Sequence, residues 1–327
     1  MKAIVCTKYG SPDVLQLKEV QKPIPKDKEV LIKVNDSSVT KADTMMRRGI
    51  PFYGRIFIGL TKPKNPITGT GFAGVIEDSG KAVTLFKIGD AVFGETGVGF
   101  STNAEYVCVS EDGLLTSKPE SISFEEAAPV CDGVLTSWCF LKDIGKIQSG
   151  QKILINGASG SLGTAAVQIA KYLGAKVTGV CSSANVELVK SLGADKVIDY
   201  TKEDFTKSDQ KYDIIFDSVG KSSFPQCKDA LKENGVYLSP VLKFSLLLQM
   251  LMTSKLNNKK AKFSATGLRP VPELHTFLNE LKEIIVSGKI KIVIDKRYKL
   301  EQTADAHRYI DAGHKRGNVV ITSENLI

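Results

Sequence analysis

A chain of 327 residues is long for a single hydrophobic core, so two domains are the default expectation. With 42% hydrophobic and 24% charged residues and a mean hydropathy of -0.05, it excludes a disordered or fibrous protein, and its longest apolar stretch, Phe244 to Met252, falls far short of the roughly 20 residues a membrane-spanning helix needs. Lysine and arginine outnumber aspartate and glutamate by 44 to 36, a formal charge of +8 that leans toward anionic ligands and, weakly, toward nucleic acid.

The opening MKAIVCTKYG lacks the apolar segment of a signal peptide, so a cytoplasmic location is expected. Short β-prone runs come next, Val30 to Val34, Ala73 to Ile76, Ala91 to Phe93 and Ala104 to Val109, set among glycine, proline and aspartate turns. They predict a small β-barrel-like domain. Ser123 to Gly150 has helical character, with Ser123 and Glu126 spaced as a capping box, and leads into the next domain.

Lys152 to Leu173, KILINGASGSLGTAAVQIAKYL, reads as a buried strand, a glycine-rich turn and an amphipathic helix. Ile153, Leu154 and Ile155 are the strand's apolar run, and Gly157, Gly160 and Gly163 make the turn. Leu162, Ala165, Ala166, Ile169, Ala170 and Leu173 form one helical stripe, closed by Gly174. Such glycines let the backbone approach a pyrophosphate while the free N–H groups of the helix start face its charge. A glycine triplet could serve only to turn the chain, so the strands beyond the helix carry the weight. Lys176 to Val180, Lys196 to Ile198, Asp213 to Phe216 and Val236 to Leu238 alternate with helical segments such as Asn185 to Leu192, the pattern of a doubly wound parallel sheet.

Phe244 to Met252 reads as a lid, an oligomer contact or a core-packing helix. The lysines between Lys255 and Lys262 have no interleaved aromatic platform apart from Phe263, so they read as solvated surface before an RNA site. After residue 270, a helix from Pro272 to Ser287, a strand-like Lys291 to Asp295 and the closing GNVVITSE are expected to return to the first domain. The cysteines, at 6, 108, 131, 139, 181 and 227, lack paired short spacings and predict reduced thiols.

Several stretches resemble the medium-chain dehydrogenase/reductase superfamily, in its zinc-free quinone oxidoreductase-like branch. They are VIEDSGKAVTLFKIGDAVFG from Val75, AEYVCV from Ala104, FEEAAPV from Phe124, NGASGSLGTAAVQIAKYLGA from Asn156, and SGKIKIVIDKRYKLEQTADAHRYIDAGHKRGNVVIT from Ser287. The resemblance implies an α/β protein with a GroES-like β-barrel catalytic domain over 1–122 and a Rossmann doubly wound parallel-sheet domain over 123–265. A C-terminal segment over 266–327 would return to the catalytic domain, and a cleft would hold a nicotinamide dinucleotide. Zinc-dependent relatives carry a cysteine, a His-Glu pair and a cysteine or aspartate around the catalytic metal, plus a four-cysteine lobe. Here Thr40 or Lys41 stands at the first position, Thr70 and Gly71 replace His-Glu, Cys131 and Asp132 lie near the third, and the lobe is missing. A metal-free enzyme is implied.

After the second nucleotide-domain strand, Ser182, Ser183 and Asn185 offer hydrogen bonds without the carboxylate that selects NAD, which permits NADPH. Many relatives carry a basic residue near Ala184, so the preference is expected to be modest. The resemblance assigns further cofactor contacts to Thr136, to Ser159, Gly160, Ser161 and Leu162 in the glycine turn, and to Val219, Gly220, Leu238 and Ser239 at strand ends. On the substrate side, Thr40, Lys41 and Tyr53 are the candidate donors to an acceptor oxygen, with Asp43 holding the loop. His275, His307 and His314 are isolated. The expected activity is zinc-independent, NADPH-dependent hydride transfer to a quinone or α,β-unsaturated carbonyl compound by a homodimer without membrane or specific nucleic-acid partners. A non-catalytic NADPH-binding protein, associating with RNA through its basic surface, is the alternative, and a zinc alcohol dehydrogenase is a third reading.

Overall fold

Each β-prone run of the first third falls on a strand in the computed structural model, which describes residues 1–256 and 258–323. In chain order the elements are β1 (Lys2–Cys6), β2 (Leu15–Glu19), β3 (Glu29–Val39), α1 (Lys41–Arg48), β4 (Gly71–Ser79), β5 (Ala91–Glu95), β6 (Tyr106–Ser110) and β7 (Leu114–Ser117). Then come β8 (Lys152–Asn156), α2 (Ser161–Tyr172), β9 (Lys176–Cys181), α3 (Val186–Ser191), β10 (Lys196–Asp199), β11 (Tyr212–Asp217) and β12 (Leu231–Leu238). The remainder is α4 (Phe244–Leu256), β13 (Lys260–Lys262), α5 (Val271–Val286), β14 (Ile294–Lys299), α6 (Thr303–Ala312) and β15 (Asn318–Thr322).

The chain divides into two units. The first takes Met1–Asp132, Gly267–Val286 and the chain from Ile292 onward. Its larger sheet runs β14-β15-β3-β4-β5-β7 with β6 also on β3. The eleven-residue β3 is the hub: β4 pairs along it, β6 takes Glu29 to Lys33, and β15 takes Asp36 to Val39. That pairing stitches the closing GNVVIT into the amino-terminal unit. Alternating side chains of β3 (Val30, Ile32, Val34) pack on Phe72, Ile76 and Val92, each such burial stabilising by about 1.5–3 kcal/mol.

Residues 123–132 stay with this unit, so the division falls ten residues later than the sequence suggested. The Ser123–Glu126 capping box is present, and Arg297 grips Glu125 with two hydrogen bonds, Nε to Oε2 at 2.5 Å and Nη2 to Oε1 at 2.8 Å. The strand expected at Lys291 to Asp295 is also displaced, to Ile294–Lys299. Gln168 of α2 takes both the N–H and the carbonyl of Lys291, at 2.8 and 2.9 Å, so the ladder with β15 starts only at Ile294. Residues 287–291 accordingly join the second unit.

That second unit spans Gly133–Thr266 as well. Its six strands are parallel, in the order β10-β9-β8-β11-β12-β13. The chain winds outward from β8 in one direction and then restarts at β11 in the other, so strand order reverses between β8 and β11, where doubly wound sheets bind ligands. Ile153, Leu154 and Ile155 are fully buried, and α2 covers them with Ala165, Ala166, Ile169 and Ala170.

Candidate active site

The turn between β8 and α2 sits at this switch point. Gly157 has φ +81°, which glycine adopts without strain, and a Cβ at Gly163 would lie 2.7 Å from Ala158 Cα and overlap the Gly157 carbonyl. Gly160 is different. Its φ of -81° and ψ of -179° suit any residue, and a Cβ there would meet nothing nearer than Gly157 O at 3.5 Å. The fold needs glycine at 157 and 163; at 160 the open side of the turn is free to receive a ligand. Ser161 opens α2 and Leu162 follows it, its carbonyl fixed by Ser137 Oγ at 2.9 Å. Thr136 lies half-buried just before Ser137.

The neighbouring strand end is held by a buried carboxylate. Asp217 accepts from Asn156 Nδ2 (3.0 Å), Gly220 N (3.1 Å), Ser222 N (2.9 Å) and Tyr237 Oη (2.9 Å). This network shapes the DSVG turn and joins the ends of β8, β11 and β12. Val219, 43% exposed, overhangs the glycine turn, since its Cγ1 would be 2.6 Å from a Cβ at Gly157. Leu238 is wholly buried at the end of an interior strand, and the Ser239 hydroxyl donates to the Asp217 carbonyl at 3.2 Å.

Past β9, Asn185 donates to Ser159 Oγ at 3.1 Å and to Ser182 Oγ at 3.2 Å, tying this loop to the glycine turn. Ser183 donates instead to Asp199, at the end of β10. Asp199 and the exposed Tyr200 escaped the sequence reading. The available signal was the polar pair after the apolar Val197–Ile198 run.

In the first unit, Thr40 caps α1: its hydroxyl and N–H donate to Asp43 Oδ2 at 2.6 and 2.7 Å, and Asp43 N donates back at 3.2 Å. Lys41 lies 3.2 Å from Asp311, which also takes the buried Arg47 at 2.6 Å. Tyr53 is 45% exposed in a short turn after α1. A concavity of about 380 Å³ is lined by Cys6, Tyr9, Asp43, Met46, Arg47 and Phe100, among others; Thr40, Lys41 and Tyr53 do not line it.

A polar cluster joins β3, β4 and Asp132. Ser38 Oγ donates to Asp132, Thr70 Oγ1 lies 3.5 Å from it, and a Cβ at Gly71 would stand 2.6 Å from Asp132 Oδ2. Burial, reinforced by the Asp43 charge and opposed by Ser38, pushes the Asp132 carboxyl up to about 7. Burial and then the charges of Asp132 and Asp43 push Glu95 up to about 8, while burial draws Lys315 down to about 8 against the pull of Asp132 and Asp43. The donor set is a poor match for zinc: hydroxyls and one carboxylate stand where thiolate and imidazole are needed. Among the described residues no three His, Cys, Asp or Glu side chains are grouped to hold a metal ion.

The lysine cluster is largely committed to capping carbonyls. Lys259 donates to Lys228 O (2.9 Å), Lys260 to Thr253 O (2.6 Å) and Ser254 O (2.9 Å), and Lys262 to Ile144 O (2.8 Å). Asn257, within the cluster, lies outside the described residues. α4 buries Leu246 and Thr253 and exposes Phe244, Leu248, Leu251 and Met252 on its other side, and no described helix is long and apolar enough to cross a membrane.

Residues 26–120 match the family described as alcohol dehydrogenase GroES-like domain, and 192–321 the one described as zinc-binding dehydrogenase. The chain is 32% identical to the 2-methylene-furan-3-one reductase of Solanum lycopersicum, covering 98% of this chain and 79% of that protein. It is also 32% identical, with the same coverage, to the chloroplastic NADPH-dependent alkenal/one oxidoreductase of Arabidopsis thaliana. Among solved structures, the quinone oxidoreductase from Coxiella burnetii superposes with a TM-score of 0.88 at 30% identity, over 99% of both chains. The sheet order, the glycine turn at the switch point and these full-length relationships agree: the chain belongs to the medium-chain dehydrogenase/reductase superfamily, in its quinone oxidoreductase-like branch.

Proposed function

We propose that this protein is an NADPH-dependent oxidoreductase that delivers hydride to a quinone or an α,β-unsaturated carbonyl compound without zinc. The observation that carries the cofactor reading is the switch-point turn, where Gly160 is required by neither backbone conformation nor packing and so answers to a ligand. Bound NADPH supplies the hydride. The chain's own part is to cradle the pyrophosphate on the N–H groups at the start of α2, and to seat the dinucleotide against Thr136, Ser159, Ser161, Val219 and Gly220.

The acceptor class depends on what the polar cluster can stabilise. Hydride removal from an alcohol requires strong stabilisation of the alkoxide, which a metal Lewis acid provides and which Thr40, Thr70 and Asp132 do not replace. In a conjugated acceptor the oxygen shares the π-system with the carbon that receives hydride, so hydrogen bonding and a proton suffice. Thr40 donates its hydroxyl proton to Asp43 and Lys41 is paired with Asp311, and Thr40, Lys41 and Tyr53 stay the candidate donors to the acceptor oxygen. The names of the tomato and Arabidopsis relatives, reductases of a methylene-furanone and of alkenals, support the same acceptor class. The test is a steady-state panel: NADPH consumption with small quinones and enones, and little NADP reduction with primary or secondary alcohols. Metal-independent alcohol oxidation without quinone or enone turnover would sink the proposal.

A further inference from the structure

The loops after β9 and β10 lie side by side, because Asp199 pairs with Cys181 across the parallel ladder and Tyr200 N donates to Cys181 O at 3.0 Å. Both oxygens of Asp199 are engaged. Its Oδ1 accepts from Thr201 N (3.0 Å) and Thr201 Oγ1 (2.7 Å), while Oδ2 accepts from Ser183 and faces Lys202 Nζ at 3.6 Å. These hydrogen bonds, chiefly those from Ser183 and Thr201, hold the Asp199 carboxyl down at about 2, so it is an anion at neutral pH.

Ser183 therefore has its proton committed and only lone pairs to offer, which suits a ribose hydroxyl and not a phosphate. Ser182 accepts from Asn185, and so keeps a proton for either group. Ala184 supplies no cation, and Lys190 on α3 is paired with Glu187 at 3.0 Å. Lys202 is loosely held, its side chain 75% exposed and its amine too far from Asp199 for a good hydrogen bond.

We infer that Asp199 and Lys202 set the choice between a 2′-phosphate and a 2′-hydroxyl on the adenosine ribose. Lys202 leaves Asp199 to pair with the phosphate of NADPH, and Asp199 both competes for that lysine and repels the phosphate. With NADH, Ser183, polarised by Asp199, accepts from the 2′-hydroxyl. The inference rests on the proposed NADPH-binding function, and goes beyond it in naming a carboxylate that tempers NADPH preference.

The test is calorimetric titration of the full chain and two variants with NADPH, NADH, 2′,5′-ADP and 5′-AMP at low and high salt. Asp199→Asn keeps an acceptor oxygen for Thr201, and so the turn, and should tighten NADPH and 2′,5′-ADP about three- to tenfold while leaving NADH unchanged or weaker. Lys202→Met keeps the apolar stem and should weaken the two phosphorylated ligands by a similar factor, with NADH unchanged. Both effects should shrink at high salt. Affinity ratios that stay at the wild-type value in Lys202→Met, or that move in the same direction in both variants, overturn the inference. If the unmodified protein binds neither dinucleotide, the cofactor reading itself fails, a result plainly distinct from bound cofactors with unmoved ratios.

Discussion

Replacing Gly160 by valine separates ligand binding from folding. The backbone there is extended, which a β-branched residue tolerates, and a Cβ would make only an ordinary contact with Gly157 O at 3.5 Å. Because Gly160 is the N-cap of α2, where valine is a poorer residue than glycine, the cost should be about 1 kcal/mol and the melting temperature should fall by no more than a few degrees. Binding should lose more. The valine methyls would occupy the open side of the turn and hold a pyrophosphate off the N–H groups that open α2. Losing one charge-assisted hydrogen bond costs about 1.5–3 kcal/mol, which corresponds to a roughly 10- to 150-fold rise in Kd. NADPH and NADH should weaken together, because the pyrophosphate is common to both. Gly163→Ala is the contrast: its Cβ would overlap the Gly157 carbonyl, so it should lower the melting temperature before any effect on binding is read. Isothermal titration with both dinucleotides, alongside thermal melts, measures all of this. A Gly160→Val protein that melts within a few degrees of wild type and binds both cofactors with wild-type affinity would refute a pyrophosphate at this turn.

Purified protein should contain no stoichiometric zinc, and chelators should change neither its stability nor its turnover; one tightly held equivalent by elemental analysis would contradict the mismatch between zinc and the donors at Thr40, Thr70 and Asp132. Tyr53→Phe should lower enone turnover by at least about 100-fold if its hydroxyl delivers the proton, with NADPH affinity unchanged, and an unaltered rate removes Tyr53 from the mechanism. His307 is fully buried, neither ring nitrogen has a hydrogen-bond partner among the described residues, and burial, helped by the Arg47 charge against Asp311, pushes it down to about 3 from 6.5. A depressed pKa gives stability that is complete above the ordinary value and declines as pH falls toward the folded one, so it accounts for about 2 kcal/mol of loss between about pH 7.5 and about pH 5. His307→Leu should remove that increment from the difference in urea stability between the two pH values; an undiminished difference would show that His307 is not held neutral.

The nucleotide-binding half was readable because burial on both faces of a parallel sheet forces apolar runs such as Ile153 to Ile155, and because its glycines answer to backbone geometry that no partner can alter. The first unit was less legible. β2, LQLKE, buries only Leu15, so its side chains carry no clear alternation. α6 buries Thr303, Ala306, His307 and Ile310, a stripe at helical spacing half built from polar residues, which hides its amphipathicity. The start of β14 depended on Gln168, more than a hundred residues away, seizing Lys291.

For the site, residue type revealed what a side chain could donate but not whether the donation was already made. Thr40, Lys41, Ser183 and the lysines from 259 to 262 all looked available, and each is engaged: Lys41 by Asp311, 270 positions along the chain, and Ser183 by a carboxylate on the next strand. Such partners are chosen by sheet order, which periodicity does not encode. Asp132 shows in the sequence only as a neighbour of the third ligand position, and its surroundings too are chosen by how the strands are ordered. Burial and the Asp43 charge push its carboxyl up to about 7, against the hydrogen bonds from Ser38 and Thr70 and the charge of Lys315. Hydroxyls and one carboxylate match zinc poorly, and the proposed reduction of a conjugated acceptor asks of the protein only hydrogen bonding and a proton.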